Sequence, residues 1–296
     1  MTRVAMMPEW LEPPDLSGVR YVYWDSAQSW PDESVLAEVE FFVPPYMGSS
    51  ADLEVMSLMP RLRIVQSLMA GIDGITSWVP PDTDVVRAVG LHDTSTAELA
   101  VGLMIASLRG IDEAARDMSH GRWNHVRRPS LADRTVGVVG WGGVGKAIAA
   151  RLTGFEVEVI GFSRSGSDGA HSLVEFDELL SELDVVVLAL PLSQSSRGFM
   201  SSARLARMRD GSLLVNVGRG ALVNTPALVA ELDRGRLRAA LDVTDPEPPP
   251  PDHPLWRCPN LLITPHVGGD SGAFVPRARQ LVARQVTRWA SGEPLH

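Results

Sequence analysis

Three charged residues in the C-terminal half of the chain have the side-chain types that carbonyl reduction requires. Arg219, Glu247 and His266 lie in the motifs NVGRG, DPEP and TPHVGG, respectively. Reduction of a 2-keto acid needs a hydride-donating cofactor, a cation that holds the carboxylate, and an acid that protonates the new alkoxide. A guanidinium can bind a carboxylate through two parallel hydrogen bonds, and a histidine, with an unperturbed pKa of about 6.5, can donate a proton near neutrality. The motifs therefore indicate an anion anchor and a proton donor. Taken alone, such an arginine is more often a helix or salt-bridge residue, such a histidine is usually a polar loop or core residue, and a glutamate beside prolines can simply be exposed.

All three residues follow apolar runs that we predict to be strands, and open α/β sheets hold their ligands at the carboxyl ends of strands. Glu247 precedes His266 by 19 positions. If the two side chains meet in space, the carboxylate favours the imidazolium and orients it to donate a proton to a carbonyl oxygen. This contact is an expectation that depends on the fold.

A glycine motif for a dinucleotide lies upstream of these residues, in the sequence GWGGVG. Gly140 allows a tight turn, Gly142 lets the backbone approach a pyrophosphate, and Gly145 permits close packing of a helix on a strand. The motif follows an apolar run at 135–140 and precedes a helical pattern at 143–153, which is the context that it requires. The sequence therefore predicts an NAD(P) site with the pyrophosphate at a helix N-terminus.

The end of the next predicted strand bears on the choice of cofactor. NAD sites usually place a carboxylate there on the ribose hydroxyls, whereas this chain has Ser163, Arg164 and Ser165. An arginine at this position can pair with the 2′-phosphate of NADP. The sequence therefore favours NADPH/NADP as the cofactor, and NADH/NAD remains possible. The alternative interpretation of Arg164 is a solvent-facing loop residue that binds no phosphate.

The bulk composition excludes several classes of function. The 296 residues carry a formal net charge of −9, which argues against a nucleic-acid partner. The single cysteine, Cys258, suits a reducing compartment, so we expect a cytoplasmic protein. No apolar stretch reaches the roughly 20 residues that cross a bilayer, and the start lacks a secretory core. The histidines lack the spacing of metal ligands, so no metal site is assigned.

The region after residue 135 alternates short apolar runs with amphipathic stretches, a pattern typical of parallel strands joined by helices. We predict strands at 135–140, 157–162, 184–190, 212–217, 238–243 and 261–264. We predict helices at 143–153, 173–182, 201–208 and 225–234. This pattern indicates a doubly wound Rossmann domain.

The first part of the chain shows a weaker version of the same alternation. We predict strands there at 19–24, 40–43, 63–66 and 85–89. The fold class is therefore α/β with two doubly wound parallel-sheet domains, of which the smaller is a flavodoxin-like substrate domain.

A capping box at Ser95 and Glu98 predicts the start of a long helix that continues to about residue 119 and bridges the domains. A final helix at 274–289 has no domain of its own, so we expect it to return to the first domain. We predict two domains. The substrate domain is discontinuous and consists of residues 1–93 and 268–296, and the dinucleotide-binding domain consists of residues 94–267.

Taken together, these motifs resemble the D-isomer-specific 2-hydroxyacid dehydrogenase family over nearly the whole chain. Besides the glycine motif and the three charged residues, the likeness rests on QSLMAGID (66–73), TAE (96–98), LPL (190–192) and LDV (241–243). The resemblance implies that the arginine binds and polarises the substrate, that Glu247 and His266 form a proton relay, and that Asp242 holds the nicotinamide carboxamide.

The resemblance also implies contacts beyond the catalytic set. Backbone donors for the substrate carboxylate are expected from Met69, Ala70 and Gly71. The predicted cofactor contacts are Thr96, Gly140, Trp141, Gly142, Gly143, Val144, Gly145, Ser163, Arg164, Ser165, Leu190, Pro191, Val217, Gly218, Asp242 and Gly268. A hinge-closing homodimer is implied as well, with the helical region after Thr96 at the subunit contact.

Two departures from the family pattern refine the expected function. Ser163 replaces the usual ribose-binding aspartate, as in the NADPH-using glyoxylate and hydroxypyruvate reductases, and Trp141 is bulkier than the usual residue in the glycine motif. We therefore expect reduction of a small anionic 2-keto acid of the glyoxylate or hydroxypyruvate type to the D-2-hydroxy acid. The alternatives are phosphite or formate oxidation on the same fold, and a dinucleotide-sensing, co-repressor-like binding protein. Glu247 counts against formate oxidation, because the formate enzymes pair the histidine with glutamine.

Overall fold

The computed structural model describes residues 2–24, 28–72 and 74–296. Asp73, which ends the QSLMAGID motif, lies outside the described residues. The chain divides into two compact units, Met1–His92 with Gly272–His296, and Asp93–Ser271. Both are α/β units with parallel sheets, so the predicted fold class is confirmed.

The smaller unit contains a five-stranded parallel sheet in the order β2-β1-β3-β4-β5. Its strands are β1 (Arg3–Met7), β2 (Val19–Tyr23), β3 (Phe41–Phe42), β4 (Ile64–Gln66) and β5 (Asp84–Val86). This order is that of the flavodoxin-like doubly wound fold.

The larger unit contains a seven-stranded parallel sheet in the order β12-β11-β10-β9-β6-β7-β8. Its strands are β6 (Thr135–Val139), β7 (Glu158–Ser163), β8 (His171–Ser172), β9 (Val185–Leu188), β10 (Leu213–Asn216), β11 (Arg238–Leu241) and β12 (Leu261–Ile263). The central strands are continuous apolar runs because helices cover both faces of the sheet. The order is that of a Rossmann fold with one further strand at the β12 edge.

The helices occupy the connections between the strands and, in the smaller unit, the end of the chain. They are α1 (Glu33–Leu36), α2 (Ser50–Glu54), α3 (Asp93–Arg109), α4 (Ile111–Met118), α5 (Gly143–Leu152), α6 (Leu173–Leu179), α7 (Ser202–Arg207), α8 (Thr225–Asp233) and α9 (Phe274–Ser291). Helix α9 packs on the smaller sheet, where Phe274 and Trp289 join a core that includes Met7 and Phe41.

Strand β1 was not predicted from the sequence. It lies between β2 and β3 in the small sheet, and Val4, Met6 and Met7 are buried. Methionine lacks the β-branched shape that usually indicates a strand, so burial rather than local propensity places this segment in the sheet.

The prediction of one long helix from Ser95 to about residue 119 is wrong. The helix begins at Asp93, so Ser95 and Glu98 lie inside its first turns and cannot form the predicted capping box. Gly110 then adopts a left-handed backbone conformation with φ of 63° and separates α3 from α4. Glycine takes this conformation without a steric penalty and commonly ends helices there.

Candidate active site

The glycine motif forms a turn between β6 and α5 whose geometry fits a dinucleotide pyrophosphate. Gly140 has φ of 109°, and a Cβ atom there would lie 2.6 Å from the carbonyl carbon of Ala189. A Cβ atom at Gly145 would lie 2.0 Å from the carbonyl oxygen of Gly140, so helix and turn pack too closely for any side chain. A Cβ atom at Gly142 would meet no atom within 4 Å. The backbone at Gly142 is thus open, and a helix N-terminus favours an anion. At the next residue, Gly143, a Cβ atom would lie 1.8 Å from the Asp93 carboxylate.

Gly161, a glycine outside the motif, provides the space for the bulky side chain of Trp141. Its indole lies over Gly161 of β7, where a Cβ atom would be 2.3 Å from Trp141 Cε3. The indole Nε1 donates a hydrogen bond of 3.1 Å to the carbonyl oxygen of Asp168, and Lys146 pairs with the Asp168 carboxylate at 3.2 Å. The departure at Trp141 is therefore matched by Gly161 and leaves the turn intact.

The three residues predicted to choose between the cofactors lie at the end of β7. Ser163 accepts a hydrogen bond of 3.1 Å from the Gly166 N–H, and the Ser165 hydroxyl contacts that of Ser167 at 2.8 Å. Arg164 is exposed and makes no ion pair with any residue that the structure describes. A cation with no carboxylate partner suits the phosphate of NADP.

Most of the other predicted cofactor contacts gather at the same edge of the larger sheet. A Cβ atom at Gly218 would lie 2.8 Å from the Leu190 carbonyl oxygen, so the loops after β9 and β10 touch. A Cβ atom at Gly268 would lie 2.9 Å from the Asp242 carboxylate and 3.4 Å from Thr96 Cγ2. Pro191 follows Leu190 in the chain, and Val217 precedes Gly218. The first turn of α5 contains Gly143 and Val144. The predicted loop Met69, Ala70 and Gly71 follows β4 in the smaller unit.

Asn216, at the end of β10, holds the loop that carries Arg219. Its buried side chain accepts a hydrogen bond of 3.1 Å from the Gly218 N–H and donates one of 2.9 Å to the Arg219 carbonyl oxygen. A Cβ atom at Gly220 would lie 1.8 Å from the Thr244 carbonyl oxygen. The glycine therefore lets the arginine loop approach the segment that leads from β11 to Glu247.

The structure brings Glu247 and His266 into direct contact. A hydrogen bond joins His266 Nδ1 and Glu247 Oε1, and both side chains remain partly exposed. Partial burial raises the pKa of the Glu247 carboxyl. The hydrogen bond and charge of His266, the hydrogen bond from the Thr244 N–H and, to the smallest extent, the charge of Arg219 together outweigh burial and lower this pKa below its ordinary value. The carboxylate therefore stays ionised when the pH falls into the usual carboxyl range. Glu247 and His266 therefore form a direct pair, and the charge of Arg219 acts on the same carboxylate.

Asp242 organises the loop that presents His266. Its buried carboxylate accepts hydrogen bonds from the Thr264 hydroxyl at 2.6 Å and from the N–H groups of Val267 and Gly268, each at 2.9 Å. The His266 N–H donates to the Asp242 carbonyl oxygen at 2.8 Å, and His266 has φ of 53°. A left-handed residue costs roughly 1–2 kcal/mol, which these bonds offset. A carboxylate has about four acceptor positions, so one stays available for the predicted carboxamide contact.

Sequence reasoning missed Asn216 and Thr264 as residues that organise the site. Both are polar and stand at or just after the end of an apolar strand, which is the signal that could have identified them. Within the described ranges, no group of three or more His, Cys, Asp or Glu side chains could hold a metal ion. None of the helices there is long and apolar enough to span a membrane.

Comparisons with known proteins add an independent line of information. Residues 101–268 match the family model described as D-isomer specific 2-hydroxyacid dehydrogenase, NAD binding domain. The chain is 31% identical over 258 residues to D-3-phosphoglycerate dehydrogenase of Archaeoglobus fulgidus, covering 83% of this chain and 49% of that protein. The chain thus spans about half the length of this relative.

Two further proteins are similar over most of their length. Glyoxylate reductase of Thermofilum pendens is 31% identical over 259 residues, covering 82% of this chain and 76% of that protein. The solved structure of an NADPH-dependent glyoxylate/hydroxypyruvate reductase of Sinorhizobium meliloti, in complex with NADP and sulfate, has a TM-score of 0.83 at 28% identity. That match covers 99% of this chain and 97% of the other.

Proposed function

The chain belongs to the D-isomer specific 2-hydroxyacid dehydrogenase family, and on that premise we propose that it reduces a small 2-keto acid to the D-2-hydroxy acid with NADPH. The observation that carries this proposal is the hydrogen bond between His266 and Glu247, with the charge of Arg219 acting on the same carboxylate. This arrangement combines an oriented proton donor with a cation for the substrate carboxylate.

Each residue has a defined part in the proposed reaction. NADPH, when bound at the glycine turn, supplies the hydride. Arg219 binds the substrate carboxylate and polarises the carbonyl group. Because His266 Nδ1 is hydrogen-bonded to Glu247, the other ring nitrogen, Nε2, is the atom that donates a proton to the carbonyl oxygen. Glu247 stabilises the charged imidazole and fixes its orientation.

The proposal is tested by assaying a panel of 2-keto acids with NADPH and with NADH, following the loss of nicotinamide absorbance. Glyoxylate or hydroxypyruvate is expected to be reduced fastest, and with NADPH. Oxidation of phosphite or formate with NADP, without reduction of any keto acid, would instead support the other chemistry considered for this fold. Tight dinucleotide binding without any turnover would support a binding protein.

The preference for NADPH is assigned to Arg164, in keeping with the NADP bound to the similar Sinorhizobium meliloti reductase. Arg164→Ala is expected to raise KM for NADPH about tenfold and to leave KM for NADH within about twofold, because only NADPH carries the 2′-phosphate. Steady-state kinetics with both cofactors measure the ratio. An equal change for NADH and NADPH would remove Arg164 from the phosphate site.

We propose that the chain forms a homodimer through exposed apolar side chains of α4 and of the segment that follows it. Ile111, Met118, Trp123 and Val126 are 53%, 78%, 95% and 47% exposed, respectively. Several exposed large apolar side chains in one short stretch of chain are typical of an interaction surface. The implied partner is a second copy of this chain.

Trp123→Glu is expected to convert the dimer to a monomer at micromolar concentration, because a carboxylate would have to be buried in the contact. Light scattering coupled to size-exclusion chromatography measures the mass. Val174→Glu, which changes another exposed apolar residue of the same unit, is the control and should leave the dimer intact. A monomeric wild-type protein, or a dimeric Trp123 variant, contradicts the assignment.

We place the protein in the cytosol, where its single cysteine stays reduced. Partial burial and the nearby Asp233 carboxylate raise the pKa of the Cys258 thiol. The thiol is therefore a poor nucleophile and takes no part in the proposed reaction.

A further inference from the structure

The loop after β7, residues 163–170, is held in shape by hydrogen bonds within itself. The Ser163 hydroxyl accepts a hydrogen bond of 3.1 Å from the Gly166 N–H. The Ala170 N–H donates another of 3.1 Å to the Ser167 carbonyl oxygen. These bonds define the shape of the loop, but they do not connect it to the glycine turn between β6 and α5.

Asp168, near the end of this loop, makes two contacts with the glycine turn and its helix. Trp141 Nε1, from the glycine motif, donates a hydrogen bond of 3.1 Å to the Asp168 carbonyl oxygen. Lys146 of α5 pairs with the Asp168 carboxylate at 3.2 Å. Apart from the pairing of β7 with β8, no other hydrogen bond or ion pair among the described residues joins this loop to the rest of the chain. The position of the loop relative to the glycine turn therefore depends on these two contacts.

Of the two contacts, the one from Trp141 is the better protected from water. The side chains of Lys146 and Asp168 are 49% and 73% exposed, so solvent and salt weaken their ion pair. The Trp141 indole is partly buried and lies over Gly161, where a Cβ atom would be 2.3 Å from indole Cε3. The indole therefore connects the glycine turn, β7 and the loop, and its N–H group is already used by the Asp168 carbonyl oxygen.

We propose that Trp141 is a positioning residue that favours NADPH over NADH by holding the loop of Arg164 at a fixed distance from the glycine turn. This inference rests on the proposed function and deepens it. A dinucleotide places its pyrophosphate at the glycine turn and its adenosine ribose at the end of the next strand, so a 2′-phosphate needs both segments in register. NADH has no 2′-phosphate and does not depend on where the Arg164 guanidinium lies.

Trp141→Phe removes the indole N–H and keeps an aromatic ring over Gly161. Calorimetry should show that this variant binds NADP about fivefold more weakly, equivalent to about 1 kcal/mol, whereas its affinity for NAD stays within about twofold of the wild type. Trp256→Phe is the matched control, because Trp256 Nε1 also donates to a backbone carbonyl, that of Pro250 at 2.8 Å, outside this loop. The control should leave both affinities unchanged.

A double-mutant cycle with Arg164→Ala separates positioning from a direct contact of the indole with the cofactor. In the Arg164→Ala background, Trp141→Phe should change NADP affinity by less than about twofold, because two residues that act through one contact are not additive. A similar loss in both backgrounds, an equal loss for NAD and NADP, or no loss at all would overturn the inference. A wild-type protein that prefers NADP but reduces no 2-keto acid would overturn the proposed function instead, and the binding measurements would still test Trp141.

Discussion

Replacement of His266 with alanine is expected to lower kcat for 2-keto-acid reduction by about 10²–10⁴-fold, the usual contribution of a positioned general acid. The cause is specific: the imidazole bonded to Glu247 is the proposed donor to the carbonyl oxygen, and alanine provides no proton. NADPH affinity and the melting temperature should change little, because the ring is partly exposed and its carboxylate partner can be hydrated. Steady-state turnover measures the effect.

A matched control is available elsewhere in the same unit. His171 also contacts a carboxylate, Glu175, at 3.0 Å on the surface, so His171→Ala removes a similar pair outside the proposed site. The kcat of the His171→Ala variant should equal that of the wild type. Glu247→Gln should give an intermediate loss, because the amide can still contact the ring but no longer favours its charged form. A wild-type rate in the His266 variant removes this residue from the mechanism.

Replacement of Arg219 with alanine is expected to lower kcat/KM for glyoxylate about 100-fold, since hydrogen bonds to charged groups contribute about 1.5–3 kcal/mol each. Most of the loss should appear in KM, with a further decrease in kcat because the arginine also polarises the carbonyl. Arg219→Lys should recover little, because an ammonium group cannot form the two parallel bonds that a guanidinium forms with a carboxylate. Saturation kinetics with each variant separate kcat from KM.

The control for Arg219 is Arg234→Ala, which removes an exposed arginine at the end of α8. Both variants should bind NADPH as the wild type does. Two results would contradict the assigned role of Arg219. One is a kcat/KM equal to that of the wild type in the alanine variant, and the other is full activity in the lysine variant, which would mean that a point charge is sufficient.

The larger sheet was predictable because its strands are buried on both faces. Runs such as 184–190 and 212–217 are almost wholly apolar, and such runs favour parallel strands whatever their context. The smaller sheet was harder to predict, because β1 is rich in methionine and is placed by burial. The start of the helix at Asp93 was predicted wrongly for another reason. Ser95 and Glu98 have the spacing of a capping box, but the helix begins at Asp93 and Ser95 is buried inside it.

The residue types of the candidate site could be predicted, whereas its contacts could not. Glu247 and His266 are 19 positions apart and meet only because the ends of β11 and β12 lie side by side. The supporting roles of Asn216 and Asp242 consist of hydrogen bonds to backbone groups, and no spacing in the sequence reveals such bonds.

Transfer of deuterium from NADPH labelled at nicotinamide C4 tests the central claim most directly. With hydroxypyruvate as substrate and each labelled face examined in turn, one form of the cofactor should deliver deuterium to C2 of glycerate, and chiral analysis should show the D isomer alone. Glycerate without deuterium from either form, or glycerate of the L configuration, would contradict hydride transfer by this site.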